Sequence, residues 1–167
     1  PSFPRFFKNF EVVCEASRIL EGMGFSSFEV LLTLDGTENK YSADLIKKYG
    51  NIKSIKFIGL QERLKLFSLY EQVDCLIFSS KLETWGLPIS EFKEIGKPML
   101  IADLPYAHET VGTYDKVIFF SPNTPNELAY LMQNEVNAKN QYQLAVEKKV
   151  DLPFFRDWEQ LIRHIFE

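Results

Sequence analysis

Apolar residues along this chain fall into short continuous runs, and these alternate with stretches of helical spacing. Val12, Val13, Ala16, Ile19 and Leu20 recur on one face, which predicts a helix over residues 10–21 that Gly22 and Gly24 end. Ahead of it, residues 1–9 hold two prolines close together and read as a loop. Residues 28–34 are apolar and β-forming, so they predict a strand turned by Asp35-Gly36-Thr37. A polar helix over 41–49 is stopped by Gly50-Asn51, and a short strand over 56–58 is followed by Gly59. Residues 62–72 carry Leu64, Phe67, Leu69 and Tyr70, a helix with an apolar face. Residues 73–79 form an apolar run short enough for a buried strand. Pro88 suits a first helical position, Gly96 suits the end of that helix, and Pro98 forbids continuation. Residues 98–102 and 116–120 predict two more strands, with a short loop or helix from Asp103 to Glu109 between them. A helix over 126–132 is capped by Thr124 with Pro125 at its first position. Residues 138–150 predict a polar helix. A terminal helix over 157–166 sets Trp158, Leu161, Ile162 and Ile165 on one face.

Strands alternating with helices argue an α/β fold, a doubly wound parallel sheet covered on both faces. The length of 167 residues is that of one domain, residues 1–167. Such a domain opens with a strand before its first helix. Here only a tail, at Ser2-Phe3, is available, so the chain is expected to be a piece of a larger one.

Composition narrows the function classes. Hydrophobic residues make up 46% and charged residues 25%, an ordinary globular balance, and 15 Phe imply an aromatic core. A net charge of −4 leaves no general basic footprint for nucleic acid. No apolar run approaches the ~20 residues of a membrane span. Cys14 and Cys75 fall in a predicted helix and a predicted strand without metal-ligand spacing, and read as two buried thiols.

The candidate chemistry lies between residues 83 and 91, in Glu83-Thr84-Trp85-Gly86-Leu87-Pro88-Ile89-Ser90-Glu91. This is a strand–loop–helix junction. In open parallel sheets, ligands bind at the carboxyl ends of strands. Glu83 sits in that loop and Glu91 about one turn into the helix. Free N–H groups around Gly86 to Ile89 would face an anion. Two carboxylates, which accept hydrogen bonds from neutral hydroxyls, thus flank a phosphate-sized nest. A nucleotide sugar, anionic in the middle and hydroxylated at both ends, is such a ligand.

Glu83 and Glu91 with Gly86-Leu87-Pro88 between them resemble the E-x7-E motif of retaining GT-B glycosyltransferases of family four. Phe57-Ile58-Gly59, residues 74–80, Gly96-Lys97-Pro98, Ala102-Asp103-Leu104-Pro105 and His108-Glu109 are similar to that family's C-terminal domain in order and spacing. Phe155-Arg156-Asp157-Trp158-Glu159 is similar to its closing helix. The resemblance covers roughly the whole chain. It implies a Rossmann-like C-terminal half of a GT-B fold that binds a nucleoside-diphosphate sugar as substrate, with no cofactor and no metal. Glu91 would accept bonds from the donor ribose, and Glu83 from the transferred hexose. Gly86 and Leu87 would offer backbone N–H groups to phosphate or sugar. Lys8, and Arg5 with a poorer match, would offset the pyrophosphate. Gly59, Leu60 and Arg63 would lie where the base is held. The acceptor, a glycan or a lipid-linked glycan, would be reached through an N-terminal domain. A cytoplasmic enzyme at the inner face of a membrane fits the family's habit.

Each residue also has a plainer reading. Glu91 could serve the helix dipole, Glu83 could face solvent, and Gly86 could be a turn glycine. Trp85 either stacks on the donor or walls the pocket. The 33–36 segment reads best as an ordinary βα turn. His108-Glu109 lacks the second His of a zinc site, and His164 reads as a surface residue. Phe92 stands where the family has small residues and must be housed in the core. A nucleotide-sugar epimerase on the same scaffold and a non-enzymatic α/β interaction module are the rival readings.

Overall fold

The computed structural model describes residues 1–142 and 158–166. A 3-10 turn, Phe6–Lys8, leads into α1 (Phe10–Gly22). Then come β1 (Val30–Leu32), α2 (Lys40–Tyr49), β2 (Ile55–Phe57), α3 (Arg63–Gln72), β3 (Leu76–Phe78) and α4 (Leu87–Lys93). The order continues with β4 (Met99–Ala102), α5 (Pro105–Val111), β5 (Val117–Phe120), α6 (Pro125–Val136) and α7 (Trp158–Phe166). All strand pairings are parallel. β1 pairs with β2, and β3-β4-β5 form a second ladder.

Alternation along the strands builds two cores. On β4, Leu100 and Ala102 face one core, while Met99 and Ile101 face the other. All four residues are buried, as a central parallel strand with both faces covered requires. The first core collects α1, α2 and α6 through Val13, Leu20, Leu45, Tyr49 and Leu128. The second collects Tyr70 of α3, Ile89 and Phe92 of α4 and Val111 of α5. The doubly wound α/β reading therefore holds. Phe92 is fully buried, with its ring edge-on to Tyr70 at 5.3 Å between centroids.

Several local expectations change. α4 ends at Lys93, before the expected Gly96, and Gly96 closes a further turn with a φ of 73°. Pro88 follows Leu87, so it is the second helical residue rather than the first. Thr124 precedes α6, but its side chain does not cap the helix. Its hydroxyl donates to Ser121 Oγ at 3.1 Å instead. The expected apolar face of α3 is narrow, because Leu64 is 86% exposed and only Tyr70 is buried. The helix expected over 138–150 does not start there: Ala138 takes a left-handed φ of 52° and residues 139–142 are irregular. Its remainder lies outside the described residues, as do Phe155, Arg156 and Asp157 of the expected closing segment. Ile162 and Ile165 of α7 are exposed, as is His164. No described helix is long and apolar enough to cross a membrane.

Candidate functional site

The site forms where the loop after β3 meets the turn before α1. Ser79 Oγ donates to Lys8 O at 2.9 Å, and Lys81 N donates to Phe7 O at 2.6 Å. Asn9 takes a left-handed φ of 55°, and its amide donates to Ser79 O at 3.3 Å and Pro122 O at 2.8 Å. The start of α1 is thereby tied to the carboxyl ends of β3 and β5.

This stitching brings two predicted residues, 75 positions apart, into contact. Lys8 Nζ donates to Glu83 Oε1 at 2.5 Å, and both side chains are largely shielded, at 16% and 14% exposure. A charge pair so little exposed is screened much less than a surface one. Arg5 belongs to the same turn but is exposed, with its guanidinium 5.5 Å from the centroid of the Phe3 ring. The structure does not bring it to the carboxylates.

Glu91 is held from α3. Arg63 Nη2 approaches Glu91 Oε1 at 3.2 Å, and the Tyr70 hydroxyl donates to Oε2 at 3.2 Å. Burial, and then the Glu91 charge, push the Tyr70 phenol well above its ordinary range, so it stays a donor. Arg63 is 74% exposed and reaches the carboxylate from solvent. Arg63 and Glu91 were both expected in the site, whereas Tyr70 was placed only on an apolar face. A buried tyrosine among aliphatic neighbours needs a partner for its hydroxyl, and that was the signal available.

Gly86 turns the chain into α4 with φ 84° and ψ 53°. A Cβ there would sit 3.2 Å from Ile89 Cδ1 and 3.5 Å from the Tyr106 ring. The left-handed backbone therefore favours glycine, and an added Cβ would also press on the Ile89 side chain. The nest around it is smaller than expected. Ile89 N–H is spent on Gly86 O at 2.8 Å, and Pro88 has none, which leaves Gly86 and Leu87. The Leu87 side chain is 63% exposed. Trp85 is 45% exposed, its indole N–H donates to Ser90 Oγ at 2.9 Å, and its carbonyl accepts from Thr110 Oγ1. Tyr106 was also missed. Its hydroxyl donates to Ser80 O at 2.6 Å, and burial, followed by the nearby Glu83 charge, raises its phenol.

Gly59 is buried at the end of β2 with φ 70°, and a Cβ there would fall 2.9 Å from Asp35 Oδ2. Leu60 beside it is half exposed. The 33–36 segment is a self-satisfied turn. Glu38 accepts from Asp35 N and Gly36 N, and the Thr37 hydroxyl and amide hold the Asp35 carboxyl below the usual range. His108 Nε2 lies 2.5 Å from Asp103 Oδ1, and its ring stacks on Phe119 at 4.0 Å, while Glu109 faces solvent. Among the described residues, no group of three His, Cys, Asp or Glu side chains could hold a metal ion.

Comparisons with known proteins bear on the fold and on the family. A glycosyltransferase from Rickettsia africae matches with a TM-score of 0.67 at 22% identity, over 82% of this chain and 36% of that one. The Anabaena Alr3699/HepE structure in complex with UDP-glucose matches with a TM-score of 0.64 at 21% identity, over 82% and 38%. Sucrose-phosphate synthase from Thermosynechococcus elongatus matches with a TM-score of 0.62 at 17% identity, over 97% and 43%. These likenesses are of fold, and the chain spans less than half the length of each of the three. No curated protein matches in sequence. The family model described as "Glycosyl transferases group 1" matches residues 4–149, most of the chain. By that match, the chain belongs to the group 1 glycosyl transferases.

Proposed function

We propose that this domain binds the nucleoside-diphosphate sugar of a retaining hexosyl transfer and forms the C-terminal half of a GT-B enzyme. The observation that carries the reading is the paired arrangement around Gly86, with Glu83 held by Lys8 and Glu91 by Arg63 and Tyr70. Both carboxylates are oriented, largely shielded and close to a turn that still offers backbone N–H groups.

In this reading Glu91 accepts hydrogen bonds from the ribose and Glu83 from the hexose. Lys8 faces the pyrophosphate, assisted by the Gly86 and Leu87 amides. Arg5 would have to swing from the Phe3 ring to join it. Gly59, Leu60 and Arg63 border the base. The bond between the anomeric carbon and the phosphate oxygen breaks, and the acceptor oxygen bonds to that carbon on the same face. The acceptor proton passes to the departing phosphate, giving a glycoside and a nucleoside diphosphate. Charge developing on the leaving phosphate is what Lys8 and the amides offset. No metal is invoked for that step. The acceptor, a glycan or lipid-linked glycan, is met in a cleft against an N-terminal domain, on the cytoplasmic side and in peripheral association with the membrane.

The test is product analysis with the whole enzyme, its donor and an acceptor. Transfer with the donor's anomeric configuration kept supports the reading. Inversion, or epimerisation of the donor without an acceptor, overturns it.

A further inference from the structure

Glu83 lies on a loop that α5 grips at two points. The Tyr106 hydroxyl donates to Ser80 O at 2.6 Å, three residues before Glu83. The Thr110 hydroxyl donates to Trp85 O, two residues after it. Residues four apart share one face of a helix, so both hydroxyls reach out from the same side of α5. That helix is itself anchored. Ala107 and Val111 are buried in the second core, and Lys93 Nζ of α4 donates to Thr110 O at 3.0 Å. Thr110 is 3% exposed.

Each grip fixes a whole peptide unit, because the unit is planar and its C=O and N–H point in opposite directions when trans. The unit that carries Ser80 O also carries the Lys81 N–H, which donates to Phe7 O at 2.6 Å. It is therefore held from both sides, by α5 and by the turn that bears Lys8. The unit that carries Trp85 O also carries the Gly86 N–H. With Trp85 O drawn to Thr110, that N–H is aimed away from α5. Gly86 has a left-handed φ of 84° and no side chain to restrain it, so an outside bond is what sets this amide. Thr110 Oγ1 also lies 2.9 Å from Tyr106 O, but a hydroxyl has one proton, and Trp85 O is nearer.

We propose that Tyr106 and Thr110 are positioning residues of the donor site, whose hydroxyls lock the two peptide units bracketing Glu83 and, through Trp85 O, aim the Gly86 N–H at the donor's phosphate. Neither side chain touches the donor. The inference rests on the donor reading proposed above. Preorganised donors of this kind need no reorientation when charge arrives.

The protein and its variants Thr110→Val, Thr110→Ser and Tyr106→Phe test it. Each is titrated calorimetrically with UDP, GDP and ADP. Amide hydrogen exchange at Lys81 and Met99 is read by NMR without nucleotide. The Met99 N–H, bonded to Lys116 O at 2.8 Å in the central strand, reports opening of the fold as a whole. Thr110→Val should weaken binding of the favoured diphosphate about three- to tenfold, the worth of one hydrogen bond, and Thr110→Ser should restore it. Tyr106→Phe keeps the ring beside Gly86 and should speed exchange at Lys81 by about the same factor, with Met99 unchanged. Equal binding by Thr110→Val and Thr110→Ser overturns the role of Thr110. Lys81 exchange that is unchanged in Tyr106→Phe, or that rises only in step with Met99, overturns the role of Tyr106. Either result leaves the donor reading standing if the unsubstituted protein binds a diphosphate. No binding by the unsubstituted protein overturns the donor reading, and the positioning roles with it.

Discussion

Glu91 depends on Tyr70 as much as on its own place in α4. The hydroxyl fixes one carboxylate oxygen, and the exposed Arg63 reaches the other. Tyr70→Phe removes one hydrogen bond to a charged group and keeps the ring packed on Phe92. The expected loss of nucleoside-diphosphate affinity is about 1.5–3 kcal/mol, with the thermal midpoint changed far less. Calorimetric titration and a melting curve of the same variant separate the two effects, and an equal fall in both would assign Tyr70 a packing role only. The places of Glu83, Gly86 and Glu91 at one strand end were legible from the strand–loop–helix context, whereas Lys8 was expected beside them only from the family resemblance. Tyr70 and Tyr106 were not, since an aromatic residue in an apolar pattern reads as packing until its hydroxyl's partner is known. Arg5 shows the converse: proximity in sequence to Lys8 does not bring its head group to the same carboxylate.

Among the elements, α4 bears most on the site. It is a short helix, and Ile89 and Phe92 anchor it in the second core, which fixes where Glu91 points. Phe92→Ala should cost ~3–5 kcal/mol of stability, the usual cost of emptying a large aromatic site. Phe92→Leu should cost markedly less, and urea midpoints decide. Near-equal midpoints for the two variants would mean that the site collapses freely. The need to house Phe92 was legible from its bulk. The helix's end was not, because Gly96 and Pro98 mark where a helix must have stopped and not where it does. α3 was over-read for a related reason. Its apolar residues are spaced for a face, but Leu64 is left exposed among the described residues.

At the scale of the molecule, alternation of strand and helix was enough to give a parallel α/β sheet with two covered faces. Strand order lay beyond it, because pairing is set by tertiary contacts and a local pattern does not encode which edge meets which. The whole molecule also has a pH signature. Burial raises the phenols of Tyr41, Tyr49, Tyr70, Tyr106, Tyr114 and Tyr142 above their ordinary value. A group whose folded pKa is raised contributes stability fully below its unfolded pKa and loses it as pH climbs toward the folded value. Their contribution should therefore hold up to about pH 10, the unfolded phenol value, and decline above it. Urea midpoints measured from neutral pH upward should fall together with tyrosinate absorbance. Ionisation of these six phenols near pH 10 with no loss of stability would contradict their burial.

The central claim is that Glu83, Glu91 and Lys8 surround a donor nucleotide. Its most direct test is calorimetric titration of the protein with UDP, GDP and ADP in turn, with Glu91→Ala in parallel. The account predicts that one diphosphate binds and that the variant loses it. Binding that is unchanged in Glu91→Ala, or no binding of any of the three at millimolar concentration, would contradict it.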